Sequence, residues 1–168
     1  MDGKQTLHHP IAPVYDAHSR VLLLGSFPSP KSRAQGFYYM HPQNRFWRVL
    51  AALFEAEIPQ DIPAKKQFLL ANHIALWDVL ARCDIRGAAD GSIENPVPNN
   101  LNQILQKAGI RAVFTTGQKA FFLYEKHCRP KTGRAAICLP STSSANCRLP
   151  YEGLLEAYQA AILPFLQG

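Results

Sequence analysis

RVLLLG, residues 20–25, runs directly into SFPSP, residues 26–30. An unbroken apolar run of this length, ended by glycine and a Ser/Pro segment, predicts a strand buried on both faces that delivers a working loop. Downstream, Phe46, Trp47, Val49, Leu50, Leu53 and Phe54 recur at helical spacing, so the loop should feed an amphipathic helix over 44–55. Pro59 and Pro63 interrupt, and a second helix is expected over 64–72. IALWDVL, residues 74–80, reads as a strand or as a strand entering a helical turn. The Gly-, Asn- and Pro-rich stretch 86–100 predicts a loop, followed by a helix over 101–107.

A second strand, turn and helix is predicted from Arg111–Thr115, Gly117 and Lys119–Lys126, and Ala135–Leu139 repeats the strand before the polar loop PSTSSANCR. Tyr151–Leu166 should close the chain as a helix, with Leu154, Leu155, Tyr158, Ile162 and Phe165 on one face and Pro150 in its first turn. Strands alternating with helices imply an α/β fold with a mainly parallel sheet covered on both faces. Its ligand site lies beyond the carboxyl ends of the strands, where loops 25–43 and 140–149 should converge.

The chain has 168 residues, which bounds it to a single domain over 1–168. Its 47% hydrophobic and 18% charged residues suit an ordered globule. The net charge of +6 favours a polyanionic partner, and Lys31, Arg33, Arg45 and Arg48 cluster about the first loop while Arg148 joins from the second. Cys83, Cys128, Cys138 and Cys147 form no CxxC pair, so zinc and iron-sulfur sites lack their usual spacing and no metal is expected. Neither a signal-peptide core nor a run of membrane-spanning length occurs, so a cytoplasmic protein is expected.

Residues 25–48, GSFPSPKSRAQGFYYMHPQNRFWR, resemble the first motif region of mismatch-specific uracil-DNA glycosylases, above all in NRFW. The resemblance is closer to the hypoxanthine-DNA glycosylase (DNA-deoxyinosine glycosylase) branch of the uracil-DNA glycosylase superfamily, in which GSFPS and YY-x-HP-x-N-x-FW occur together. LWDVLARCDIRGAADGSI at 76–93, VFTTGQKAFFLY at 113–124 and LPSTSSAN at 139–146 follow in the superfamily's order. The resemblance implies a three-layer sandwich around a central, mainly parallel four-stranded sheet. It also implies a monomer that hydrolyses the N-glycosidic bond of a flipped-out base in damaged DNA, without metal or cofactor, as a step of base excision repair. Hypoxanthine is the expected base.

Cleavage of a deoxynucleoside passes through an oxocarbenium-like sugar, so the site must place water and stabilise charge on the departing base. Relatives often carry Asp or Asn third in the first motif, where this chain has Phe27, and residues 25–54 contain no Asp or Glu. The branch implies Asn44 as the catalytic residue; its amide oxygen could hold water, or the side chain could instead cap a helix. Counting from Gly25, Tyr39 falls where relatives stack an aromatic on the flipped base, with Phe37 and Tyr38 as competitors, core packing as the alternative, and Phe46 and Trp47 assigned to the core. Gly25 permits close backbone approach, or simply a tight turn, and Ser26 and Phe27 could offer backbone N–H groups to the base.

Thr116 stands where relatives often have a base-reading Asn, and Leu139 where some have a catalytic His or Asn. Ser141, Thr142, Ser143 and Asn146 occupy the loop that relatives set against the minor groove, with Asn146 also a candidate base contact. No large apolar wedge stands at Ser143, so Ser and Arg148 would clamp phosphates together with Lys31, Arg33 and Arg45; otherwise the loop is a Ser-rich turn. His41 is expected to be structural. The competing functions are a mismatch-specific uracil-DNA glycosylase and a noncatalytic DNA- or nucleotide-binding domain.

Overall fold

The structure, a computed structural model, describes residues 4–86, 92–146 and 148–167. Along the chain it runs β1 (Lys4–His8), β2 (Val21–Gly25), α1 (Pro30–Gln35), α2 (Phe46–Leu53), α3 (Ile62–Ala71), β3 (Ile74–Asp78), β4 (Leu80–Arg86) and β5 (Glu94–Pro98). It continues α4 (Asn102–Leu105), β6 (Ala112–Thr116), α5 (Gln118–His127), α6 (Arg129–Thr132), β7 (Ala136–Leu139) and α7 (Tyr151–Leu166).

β2 is buried along its whole length, as its unbroken apolar run requires of a central strand. It pairs in parallel with β3 (Val21↔Ile74 to Gly25↔Asp78) and with β6 (Val21↔Ala112 to Leu24↔Thr115), and β6 pairs in parallel with β7. The four-stranded sheet has the order β3-β2-β6-β7 and is flanked by helices, as expected. α7 packs on α2 and on β2 and β7, while α3 lies against β3 and α5 against β6 and β7. Parallel pairing brings Gly25, Asp78 and Thr116 to one end of the sheet, where the polar loops begin.

Two helix starts follow from local chemistry. Ser29 accepts the Ser32 N–H and precedes Pro30, so part of the expected loop 25–43 is helix α1, closed by Gly36 at a left-handed φ of 79°. Asp61 accepts the Ala64 N–H, and Pro63, read as an interruption, sits in the first turn of α3, where a missing N–H costs nothing.

A second sheet was not legible in the sequence. After β3 a single residue, Val79, separates β4, which turns away to pair antiparallel with β1 and β5 in the order β1-β4-β5. The expected loop 86–100 is therefore corrected: β5 occupies part of it, and residues 87–91 lie outside the described residues. β5 contains Pro96 and Pro98 and pairs on one side only, the position in a sheet that tolerates proline. Among the described residues no helix is long and apolar enough to cross a membrane.

Candidate active site

A cavity of about 530 Å³ opens at the carboxyl ends of β2, β3 and β6 and is walled by the two polar loops. The loops meet as expected. Thr142 O accepts the Arg45 N–H at 3.0 Å, and the Arg45 guanidinium donates to the carbonyls of Leu149 at 2.7 Å, Asn146 at 2.9 Å and Ser143 at 3.5 Å. Those bonds turn the Arg45 fork inward onto the second loop, whereas the sequence reading had set it against DNA phosphates. Asn146, expected at the base, donates its amide to Ser141 O at 3.0 Å and is not among the residues lining the cavity.

Gly25, Ser26, Phe27, Arg33, Tyr39, Asn44, Thr116, Ser141, Thr142 and Ser143 all line it, whereas Lys31 and Arg148 are exposed and lie outside its lining. Tyr39 stacks on Phe46 with centroids 3.8 Å apart, shares a hydrogen bond with Thr116 at 2.7 Å and holds a left-handed φ of 54°. Strained backbone of this kind persists where the surroundings over-determine it. The competitors Phe37 and Tyr38 are 1% exposed. Tyr38 donates to Ala12 O at 2.8 Å, and burial raises its phenol well above the usual range.

Asn44 Oδ1 accepts the Phe46 N–H at 2.9 Å and the Thr142 hydroxyl at 2.8 Å. Both lone pairs of the amide oxygen, which the sequence reading had offered to water, are therefore engaged within the protein. Arg33 donates to Pro28 O at 2.7 Å and lies 5.8 Å from the Phe27 ring centroid, folded over the rim. His41 Nδ1 accepts the Gln43 N–H.

Sequence reasoning missed a buried pair. Asp78, the last residue of β3, lines the cavity and is the one carboxylate lining it among the described residues. Its Oδ2 lies 2.8 Å from His9 Nε2, with the two side chains 5% and 3% exposed. His9 Nδ1 accepts the Ile11 N–H, so Nε2 carries the proton and donates to Asp78. The His9 ring is boxed by Phe27, Tyr38 and Trp77, with centroids 5.9, 6.0 and 6.4 Å away. The available signal was an acid ending a buried strand; its partner lies 69 positions away in a segment with no pattern of its own. Gly25 faces this pair, since a β-carbon there would stand 2.5 Å from Asp78 Oδ1 and 3.0 Å from the Tyr39 hydroxyl.

Elsewhere Cys83 and Cys128 are buried and Cys138 is exposed, and Cys147 is outside the described residues.

The same architecture occurs in known proteins. A family model described as the uracil DNA glycosylase superfamily matches residues 12–165. Two archaeal proteins named hypoxanthine DNA glycosylase are similar: one from Methanosarcina acetivorans, 33% identical over 138 residues, covers 80% of this chain and 85% of its own. The other, from Methanosarcina barkeri, is 31% identical over 138 residues, covering 81% and 86%. The solution NMR structure of a Methanosarcina acetivorans protein, provisionally assigned as a uracil DNA glycosylase, superposes with a TM-score of 0.78 at 28% identity, covering 94% of this chain and 97% of that one. With nearly its whole length matched and the strand-end cavity in place, the chain belongs to the uracil DNA glycosylase superfamily.

Proposed function

We propose that this DNA glycosylase removes hypoxanthine from deoxyinosine in damaged DNA, leaving an abasic site for base excision repair. The carrying observation is a cavity that joins a buried carboxylate at the strand ends to a wall of amide and hydroxyl groups, in a chain similar to two proteins named hypoxanthine DNA glycosylase. A base must leave the stack to enter such a space. Tyr39, backed by Phe46, stacks on the extruded base, which contributes about 1–3 kcal/mol.

Asp78 accepts the ring N–H beside the carbonyl of hypoxanthine. Adenine lacks that hydrogen, so a carboxylate that can only accept discriminates against it. Uracil carries an equivalent N–H, which keeps a uracil activity as the second reading. Backbone N–H groups of Ser26 and Phe27 and the Thr116 hydroxyl complete the base contacts, and Asn44 acts at the reacting end.

The oxocarbenium-like sugar takes water without a strong base, so the main demand on the protein is for donors to the leaving base. Ser141 and Ser143 lie against the DNA, with the buried Thr142 behind them, and Lys31, Arg33 and Arg148 meet its phosphates. The protein works as a monomer, without metal or cofactor, in the cytoplasm where its substrate is.

Oligonucleotides carrying inosine, uracil, xanthine or mismatched thymine, single-stranded and duplex, test the reading by alkaline cleavage at abasic sites. Inosine should give the fastest product. Cleavage confined to uracil or mismatches would establish the mismatch-specific reading, and tight binding without abasic product would establish a noncatalytic domain.

A further inference from the structure

The donors around Asn44 fix more than its position. A backbone N–H can only donate, so the atom of Asn44 that meets Phe46 N at 2.9 Å must be the amide oxygen. The Thr142 hydroxyl, 2.8 Å from the same oxygen, has to donate as well, because an amide oxygen offers no hydrogen. Reversing the amide would set two donors face to face at Phe46. The nitrogen Nδ2 has no hydrogen-bond partner among the described residues, while Asn44 lines the cavity. The polar group left for a ligand is therefore an N–H₂ and not a carbonyl.

We propose that Asn44 is a hydrogen-bond donor to a ring nitrogen of the departing base, and that Thr142 is the positioning residue that holds its amide in that sense. The inference rests on the glycosylase reading and specifies the chemistry of that site. As the bond to C1′ breaks, its electron pair stays on the base and spreads over the purine nitrogens that flank the glycosidic nitrogen. A fixed N–H aimed at one of them stabilises that charge without reorganising. Thr142 suits the task, being 1% exposed and carried on a loop whose backbone is bonded to Arg45. The local Phe46 N–H sets the sense of the amide, and Thr142, 98 positions away, supplies the second bond that locks it once the two loops meet.

Single-turnover excision from inosine oligonucleotides, with enzyme in excess, tests this with four variants. Asn44→Ala should lose about 10²-fold, the range found for one donor to a developing anion. Asn44→Asp should lose at least as much, because a carboxylate cannot donate and repels the leaving base. Thr142→Val should lose about tenfold, while Thr142→Ser, which restores the hydroxyl, stays within about threefold of the parent. On the substrate side, the Asn44→Ala penalty, taken against the parent on the same oligonucleotide, should shrink below about threefold with either 7-deaza- or 3-deaza-deoxyinosine, whichever lacks the accepting nitrogen.

An Asn44→Asp variant as fast as the parent would show that the residue serves as an acceptor for water and would overturn the proposal. So would an undiminished Asn44→Ala penalty on both analogues. Should Asn44→Ala fail to fold by thermal melting, the Thr142 pair decides: equal rates for Thr142→Val and Thr142→Ser overturn the positioning role. A parent enzyme that makes no abasic product from any lesion would overturn the glycosylase reading itself, and the donor role with it.

Discussion

Gly25 leaves room for a carboxylate where any other residue would place a β-carbon, and that close approach makes it sensitive to the smallest change. Gly25→Ala should push Asp78 Oδ1 and the Tyr39 hydroxyl away from the new β-carbon. The expected outcome is a loss of about 1–3 kcal/mol in urea unfolding and a fall in inosine excision of at least about tenfold; unchanged excision would mean that the Asp78 carboxylate is not used. His9 is the other sensitive point. Removing it strands a buried carboxylate, so His9→Ala should cost about 3–5 kcal/mol, and adding Asp78→Asn to it should recover part of that loss in the same urea experiment. Gly25, Tyr39 and Asn44 were legible at this scale because they lie in one motif-bearing stretch of 24 residues, 25–48. His9 and Asp78 were not, because neither local string says that the two side chains meet.

Among the elements, the second loop is held chiefly by one side chain from the start of α2. Arg45 forks onto three of its carbonyls, so Arg45→Ala should loosen residues 141–146 and speed their amide exchange while leaving β2 protected. Arg45→Lys should restore only part of the protection, since an ammonium is a point donor and not a planar fork. The β1-β4-β5 sheet has its own device. Thr6 donates a hydroxyl hydrogen bond to Asp84 and holds its carboxyl below the usual range, with help from Asn95 at 2.8 Å and from Lys4 at 3.7 Å. A carboxyl depressed in the folded state stabilises at neutral pH, and the benefit is lost as pH falls from the ordinary carboxylate range through the folded value. Amide exchange across Lys4–His8 should therefore accelerate on acidification, and Asp84→Asn should flatten that dependence. β1 and β5 escaped the sequence reading because the first is almost wholly exposed, with no alternation, and the second carries two prolines. The buried strand β2 was readable because burial on both faces leaves an unbroken apolar run, and the α7 helix because burial of one face leaves a helical period.

Over the whole molecule, the charge of +6 favours a polyanionic partner. Each phosphate neutralised contributes about 0.9 to the slope of log affinity against log salt on duplex. Lys31→Ala should reduce that slope by about 1 in an anisotropy titration with a non-cleavable inosine analogue. Arg45→Ala should leave the slope unchanged although it weakens excision, because its guanidinium is occupied by carbonyls. The strand-loop-helix order and the end of the sheet that bears the site were determined by residue order alone, since apolar period and loop chemistry are local quantities, and the family was legible as a resemblance in the motifs at 25–48, 76–93, 113–124 and 139–146. Only the tertiary structure decided that Arg45 faces inward, that Asn44 turns its nitrogen to the cavity, and that Asp78 is a paired carboxylate facing Gly25. Those outcomes depend on which donor meets which acceptor across 69 to 104 positions of chain, and no local spacing encodes such a meeting.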